Sequence, residues 1–377
     1  MAVVTHDIAP DGDLYIVLEK ANTMRTTPTV DIRYVSVDSA EFTSDPANVK
    51  DPKTSSGLEL PDVPDGDNLE CRFRVSSHHL TFASPIFKTM LTGPWKESAP
   101  AGANVAETTP TSKAQTKDGA LSETSEDALR SSSVREISTE GWDVHAFITV
   151  LRIIHGLNHQ VPEAVSLSFF MDVAVIADYY QCTEAVSTVA KLWKPPFFEL
   201  VLRGKVSIMW LWIAWVFSWP SEFKRAAYGH LRCSQGLELV DTHDLPIAMI
   251  LEKLAKKREW SLETFSAKLD TLRADHLELG AGCDPRCREI LLGAIQAGEY
   301  KMNNKLVVSG PPYHWISIEE INDIWEDIDS ADCRDRWDIK RGLPRPCGLK
   351  KSMKPTFDEI VAEFSNINIA DFQAKKV

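Results

Sequence analysis

The chain has 377 residues, 41 Lys and Arg against 54 Asp and Glu, a formal net charge of -13 and a mean hydropathy of -0.19. Nucleic-acid binding needs a cationic stripe to neutralise phosphates, so this balance argues against a nucleic-acid partner. The length is enough for two domains. Seven cysteines, an odd number scattered along the chain, suit free thiols in a reducing compartment.

The first ten residues carry no apolar signal core, so an intracellular protein of the cytoplasm or nucleus is expected. Gly12-Asp13-Leu14-Tyr15-Ile16-Val17-Leu18 reads as a buried strand. Val30, Ile32 and Tyr34 alternate with Asp31 and Arg33, which predicts a strand with one solvated face over 30–37. The alternation changes phase near Tyr34, where a bulge or the strand's end is expected. A third strand is expected at Phe73-Arg74-Val75, and all three are expected to share one sheet.

After that strand, Ser76 or Ser77 is placed to accept the free N–H groups of a first helical turn. Leu80, Ala83, Phe87, Met90 and Leu91 recur at helical spacing, predicting a helix over 77–91. His78 and His79 fall inside it, one expected exposed and one packed. Downstream, Asp143 opens a helix with Phe147, Val150, Leu151 and Ile154 on one face, and Gly156 is placed to end it. Ser166 caps a further helix through Phe170, Val173, Ala174 and Ala177. Thr183 caps another, with Val186, Val189, Ala190 and Trp193 facing in, and Pro195-Pro196 stops it.

Two polar segments interrupt this half, near 41–68 and 98–133. Neither has apolar surface enough to offset its ordering entropy, so both are expected to be disordered loops. They read either as neutral surface insertions or as phosphorylation platforms. Thr109, followed by Pro110, and the acidic surroundings of Ser122 and Ser125 are the candidate sites for the second reading.

The run from Phe73 to Phe87 closes with Ser84-Pro85-Ile86-Phe87 and resembles the first helix entry of a BTB/POZ domain. Phe73, Leu80, Ser84 and Phe87 stand where that family puts those residue types, and Gly12-Asp13 resembles the opening of its sheet. Asp178-Tyr179-Tyr180-Gln181-Cys182 is similar to a motif of the fungal BTB-domain group, and the resemblance runs from Gly12 to Trp193. The family's usual His-Lys at the helix start is replaced by Ser76-Ser77, which leaves Asp13 without its usual charged counterpart.

The resemblance implies an α+β fold, a BTB/POZ-like sheet covered by helices over 1–194. It further implies a non-enzymatic role, with no cofactor. Other proteins are the implied partners, a second copy of the chain or a cullin among them. General interaction or scaffolding is one reading, substrate adaptor of a cullin-based ubiquitin ligase another. The polar insertion falls where the family has part of its cullin-facing surface, which weighs against the adaptor.

The remaining chain reads as mostly helical, a domain over 195–300 and an extension over 301–377. The run from Ile208 to Phe217 is the most apolar in the chain and about half the length of a membrane span. That length makes it a buried core helix rather than a membrane span, and it lacks the polar face that a membrane-surface role needs. Trp210, Trp212 and Trp215 cannot all face one way, so cover on more than one side is expected, partly from the stripe Ile247, Leu251 and Leu254. Asp244-Leu245-Pro246 looks like a helix cap, and Ser221 another. Lys253, Lys256, Lys257 and Arg258 read as a solvated face. Ser317-Ile318-Glu319-Glu320 and Thr356-Phe357-Asp358-Glu359 have the capping-box spacing.

Cys283, Cys287, Cys333 and Cys347 are the only residues with a metal-site look. Their spacing lacks a Cys-x-x-Cys knuckle, so zinc competes with the reading of Cys287 as a small buried residue. Gly280-Ala281-Gly282 is a lone turn and not a phosphate loop. No nucleophile and base are paired in the sequence, so an enzyme in the C-terminal half is the weakest of the readings.

Overall fold

The computed structural model describes residues 2–31, 69–93, 135–194, 202–278, 285–302, 313–328 and 348–373. The fold is mixed α+β, a small sheet with helices followed by a mostly helical C-terminal region. It divides into two compact units. One takes residues 2–24 and 69–193, the other 25–31 and 194–373. The polar segments 41–68 and 98–133, with Thr109, Ser122 and Ser125, lie outside the described residues.

The strands in chain order are β1 (Ala2–Asp7), β2 (Leu14–Glu19), β3 (Thr29–Val30), β4 (Leu69–Val75), β5 (Arg135–Glu140) and β6 (Val240–Asp241). In the N-terminal unit the sheet runs β1-β4-β2-β5. β2 is antiparallel to β4, with Leu14 opposite Val75 and Ile16 opposite Phe73. β1 lies parallel to β4 and β5 parallel to β2. Leu14, Ile16 and Leu18 alternate with Cys71, Phe73 and Val75 to build one buried face.

The helices of this unit are α1 (Ser77–Ala83), α2 (Pro85–Thr92), α3 (Val144–Ile154), α4 (Leu167–Tyr179) and α5 (Thr183–Trp193). α3 buries almost every residue and α4 buries Phe169 to Met171 and Val173 to Ala177. Helices apolar on all sides need cover on all sides, which makes this pair the centre of the unit. Asp143 and Ser166 cap them by accepting from Ala146 N and Phe169 N, as their sequence predicts.

Several expectations are corrected here. The helix expected over 77–91 is two helices, because Ser84 takes an extended conformation and its hydroxyl caps α2 at Phe87 N, 3.0 Å. Pro85, which has no N–H to lose, supplies the first residue of α2. Val30 does not join the sheet of β2 and β4. Thr29–Val30 pairs instead with β6, in the other unit, and residues 32–37 lie outside those described. β1 and β5 were not expected, since Arg135–Glu140 is polar and buries only Ile137.

The C-terminal unit contains α6 (Gly204–Val216), α7 (Pro220–Cys233), α8 (Ala248–Leu277), α9 (Pro285–Lys301), α10 (Ile318–Glu326) and α11 (Leu349–Ser365). From Ser207 onward the Trp-rich α6 is buried on every side except at the half-buried Trp215. Its principal neighbours are α7 and β3, and it is α7 that packs on α8. The stripe on α8 is therefore not the main cover for the tryptophans. The chain entering α6 presses on α7 at Gly229, where a Cβ would stand 2.2 Å from the Leu202 carbonyl oxygen.

Local caps also shift. α7 starts at Pro220, one residue before Ser221. α8 starts at Ala248, and Asp244 instead accepts the Arg25 amide at 2.8 Å. Thr356 lies inside α11, so its capping-box spacing is coincidental, whereas the box of Ser317 and Glu320 forms at the start of α10. α8 runs unbroken through Arg258, which is buried and not solvated. Among the described residues no helix is long and apolar enough to cross a membrane.

Trp212 is buried, and its indole N–H has no described acceptor. Trp212→Ala is expected to cost about 3–5 kcal/mol, the range for emptying an aromatic site in a packed core. Trp212→Phe is expected to cost clearly less, because it keeps most of the apolar area and removes the unpaired N–H. Urea unfolding followed by far-ultraviolet circular dichroism measures both.

Candidate functional site

The residues that carry the family resemblance fall into two groups in space. Phe73, Leu80, Ser84 and Phe87 form a buried column. Phe73 stands 5.4 Å from the Phe147 ring, and Phe87 stacks on Tyr180 at 4.3 Å. The Ser84 hydroxyl donates to the Tyr180 carbonyl at 2.5 Å, which ties the α1–α2 turn to the end of α4. These four residues hold the helices together.

Asp13 and Ser76 belong to a surface corner. Gly12 sets its geometry, since a Cβ there would meet the Val75 carbonyl oxygen at 2.4 Å and that of Ala9 at 2.9 Å. The close approach brings Asp13 against the start of α1. Its carboxylate accepts the Ser77 amide at 2.8 Å and the Ser77 hydroxyl at 2.6 Å. Arg135, from β5, reaches the same carboxylate at 3.3 Å and the Ser77 hydroxyl at 3.4 Å. Asp13 thus does have a cationic counterpart, contributed by a strand 122 residues away.

Neither Ser76 nor Ser77 caps the helix with its own side chain. The Ser76 amide donates to His155 Nε2 at 3.0 Å, and His155 Nδ1 donates to the Leu151 carbonyl at 2.7 Å. Those two bonds fix the tautomer, with the proton on Nδ1 and the lone pair on Nε2. The His79 ring lies 5.1 Å from His155, and the His78 ring 6.2 Å from His79. Both His78 and His79 are exposed, so neither is the packed one expected.

Burial works to raise the Asp13 carboxyl. The Ser77 hydroxyl and amide, its own amide and Arg135 outweigh it and hold the group below the usual carboxylate range. Burial pulls the His155 imidazole down and the His79 ring adds to that, against the Leu151 carbonyl. The corner therefore places a carboxylate, a guanidinium and the His155 imidazole, whose pKa burial lowers, around one helix start.

No described group of three or more His, Cys, Asp or Glu residues is placed to hold a metal. Cys287 is buried on α9, while Cys283, Cys333 and Cys347 lie outside the described residues. Burial pushes Cys71 up to about 11 and Cys182 to about 12, so these thiols are poor nucleophiles. Compared with known proteins, no family model, curated protein or solved structure matches the chain.

Sequence reasoning missed the roles of both Arg135 and His155. His155 sits 79 residues from its partner, and nothing local to either residue marks the pairing.

Asp13→Ala is expected to destabilise the unit by about 0.5–2 kcal/mol, the range for loss of a helix cap. Thermal unfolding of the variant measures it. His155 has a pH signature as well. Its folded-state pKa is depressed, so the unfolded chain binds the extra proton first. The stability it contributes is complete above the unfolded value of 6.5 and is lost as pH falls below that value. His155→Gln keeps an acceptor that does not titrate. It is expected to flatten the melting-temperature profile between about pH 7 and pH 5, with a residual slope from His6 and His230, which burial also holds low.

Proposed function

We propose that this chain is a non-enzymatic protein-interaction or scaffold protein, acting through a BTB/POZ-like N-terminal unit. One observation carries the reading. Asp13, Ser76 and Ser77, drawn from two segments of the family-like pattern, converge on the start of α1, and α1 then presents an open face. His78 and His79 are exposed on it, and Phe82 is 90% exposed. An exposed aromatic beside polar anchors is the usual make-up of a binding hot spot. The net charge of -13 supports protein over nucleic acid as the partner.

The partner is another protein, and self-association belongs to the same reading. Affinity purification with mass spectrometry, run on the natural chain and on Phe82→Ser, tests it. Phe82→Ser is expected to keep its melting temperature and to lose part of the partner set or the self-association seen by light scattering. Retention of both would overturn the assignment of this face. Co-purification of a cullin would turn the scaffold reading into the adaptor reading.

A further inference from the structure

The C-terminal unit contains a cavity of about 200 Å³ between the end of α7, the short 3-10 turn Leu237–Leu239, α8 and His314. The space suits a small metabolite. Leu231, Leu237 and Leu254 give it an apolar wall.

Two buried polar side chains line it. Arg258 is 4% exposed. Its Nε donates to the Ser234 carbonyl at 2.9 Å, and Nη2 donates to those of Tyr313 and Ile316 at 2.7 and 2.6 Å. Those bonds occupy three of the five guanidinium N–H groups and leave both on Nη1. Among the described residues Nη1 has no acceptor, and no carboxylate lies within ion-pair distance of Arg258. The cation's direct contacts are thus backbone carbonyls, with the carboxylates of Glu238 and Glu259, also in the cavity lining, acting on it from beyond ion-pair distance. Burial pulls its pKa down to about 10, with Glu238 and Glu259 acting in the opposite direction.

The second side chain is His230, also buried, and held at about 4 by that burial and by the charge of Arg258. The ring is therefore neutral near pH 7. Ser207 Oγ lies 3.5 Å from Nδ1 and donates its own proton to the Gly204 carbonyl, so Nδ1 is the protonated nitrogen. Nε2 remains as an acceptor with no partner among the described residues.

The cavity's rim is built with strain. Tyr313 and Trp315 both have positive φ, 31° and 68°, on either side of His314. Arg258 holds this segment through the Tyr313 and Ile316 carbonyls, and the Gln235 carbonyl accepts from Trp315 N at 2.9 Å. His314 pairs with the Glu238 carboxylate, which folds back on Gly236. A Cβ at Gly236 would stand 2.3 Å from that carboxylate, and φ there is +138°. Strained backbone of this kind persists where surrounding contacts over-determine it, and it clusters at ligand clamps.

We propose that this cavity binds a small organic carboxylate bearing a hydrogen-bond donor next to the carboxylate, the chemistry shared by α-hydroxy and α-amino acids. The carboxylate lies on Arg258 Nη1 and supplies a counter-charge in direct contact, which Glu238 and Glu259 do not. The hydroxyl or ammonium donates to His230 Nε2, and the ligand's side chain meets the leucine wall. This site is independent of the protein-interaction reading of the N-terminal unit.

The test uses the full chain, with lactate, alanine and valine as probes, propionate as the carboxylate lacking a donor, and propylamine as the amine lacking a carboxylate. Thermal shift and calorimetry at millimolar ligand are expected to show binding of at least one of the first three. Propionate is expected about tenfold weaker, or more, and propylamine silent. Preference for lactate or for alanine and valine identifies the donor as hydroxyl or ammonium. Ala255→Leu narrows the cavity without touching the Arg258 clamp and is expected to abolish the response. The imidazole nitrogen signal of His230 gives a readout on the natural chain and decides the matter if the variant does not fold. A shift of its Nε2 resonance on binding is expected. Silence of all three probes, binding of propionate as tight as theirs, a full response from folded Ala255→Leu, or binding with no change at His230 would each overturn the proposal.

Discussion

The start of α1 is the constraint on which the N-terminal unit's surface depends. A helix leaves its first amides without partners inside the helix, and a serine or aspartate next to it normally supplies the acceptor. Here the two serines at the junction do not. The Ser77 amide is taken by Asp13, 64 residues earlier, and the Ser76 amide by His155, 79 residues later. One helix end is thus tied to the start of β2 and to the end of α3. Arg135 adds β5 through the same carboxylate. Three elements meet at seven-residue α1, which is too short to be stable alone.

The same device recurs in the C-terminal unit with a different chemistry. Arg258 on α8 gathers carbonyls from Ser234, Tyr313 and Ile316, segments far apart in sequence. A guanidinium offers five donors in a rigid fork, which makes it suited to collecting several carbonyls at once. Its burial leaves charge in a region of low polarity, and that charge is available to whatever occupies the cavity beside it. A single residue therefore both closes the loop and sets the electrostatics of the space it encloses.

Elements with strong local codes were legible. The capping serines and aspartate of α3, α4 and α10, the buried β2, and the apolar α6 all follow from periodicity and caps within a few residues. What was not legible has physical reasons. β5 is polar and is a strand because β2 offers it a free edge, not because of its side chains. Ser84 reads as one more helical position, yet its extended backbone and short hydroxyl bond to Tyr180 split the helix in two. Arg258 stands among lysines and reads as solvated, but its acceptors are carbonyls supplied by the folded chain. Of the corner, Asp13, Ser76 and Ser77 lie in the segments that the sequence singled out, while Arg135 and His155 were not legible. Their role exists only once the sheet has brought them there.

Remote capping also bears on how the N-terminal unit holds together. With local caps, α1 would have some tendency to form by itself. With its first amides satisfied from β2 and α3, it gains those bonds only after both elements have docked. Opening the corner therefore exposes two backbone N–H groups at once, and each unsatisfied group costs about 1–3 kcal/mol unless water reaches it. The corner, which sits at the surface, allows water in. The loss is then moderate, and local opening of α1 does not require unfolding of the buried pair α3 and α4. The α1 face can move in this way while Phe73, Leu80 and Phe87 keep the core beneath it packed. Protonation of His155 acts on that same hinge. It converts the acceptor facing the Ser76 amide into a donor facing a donor, and the corner loosens without any change in the core.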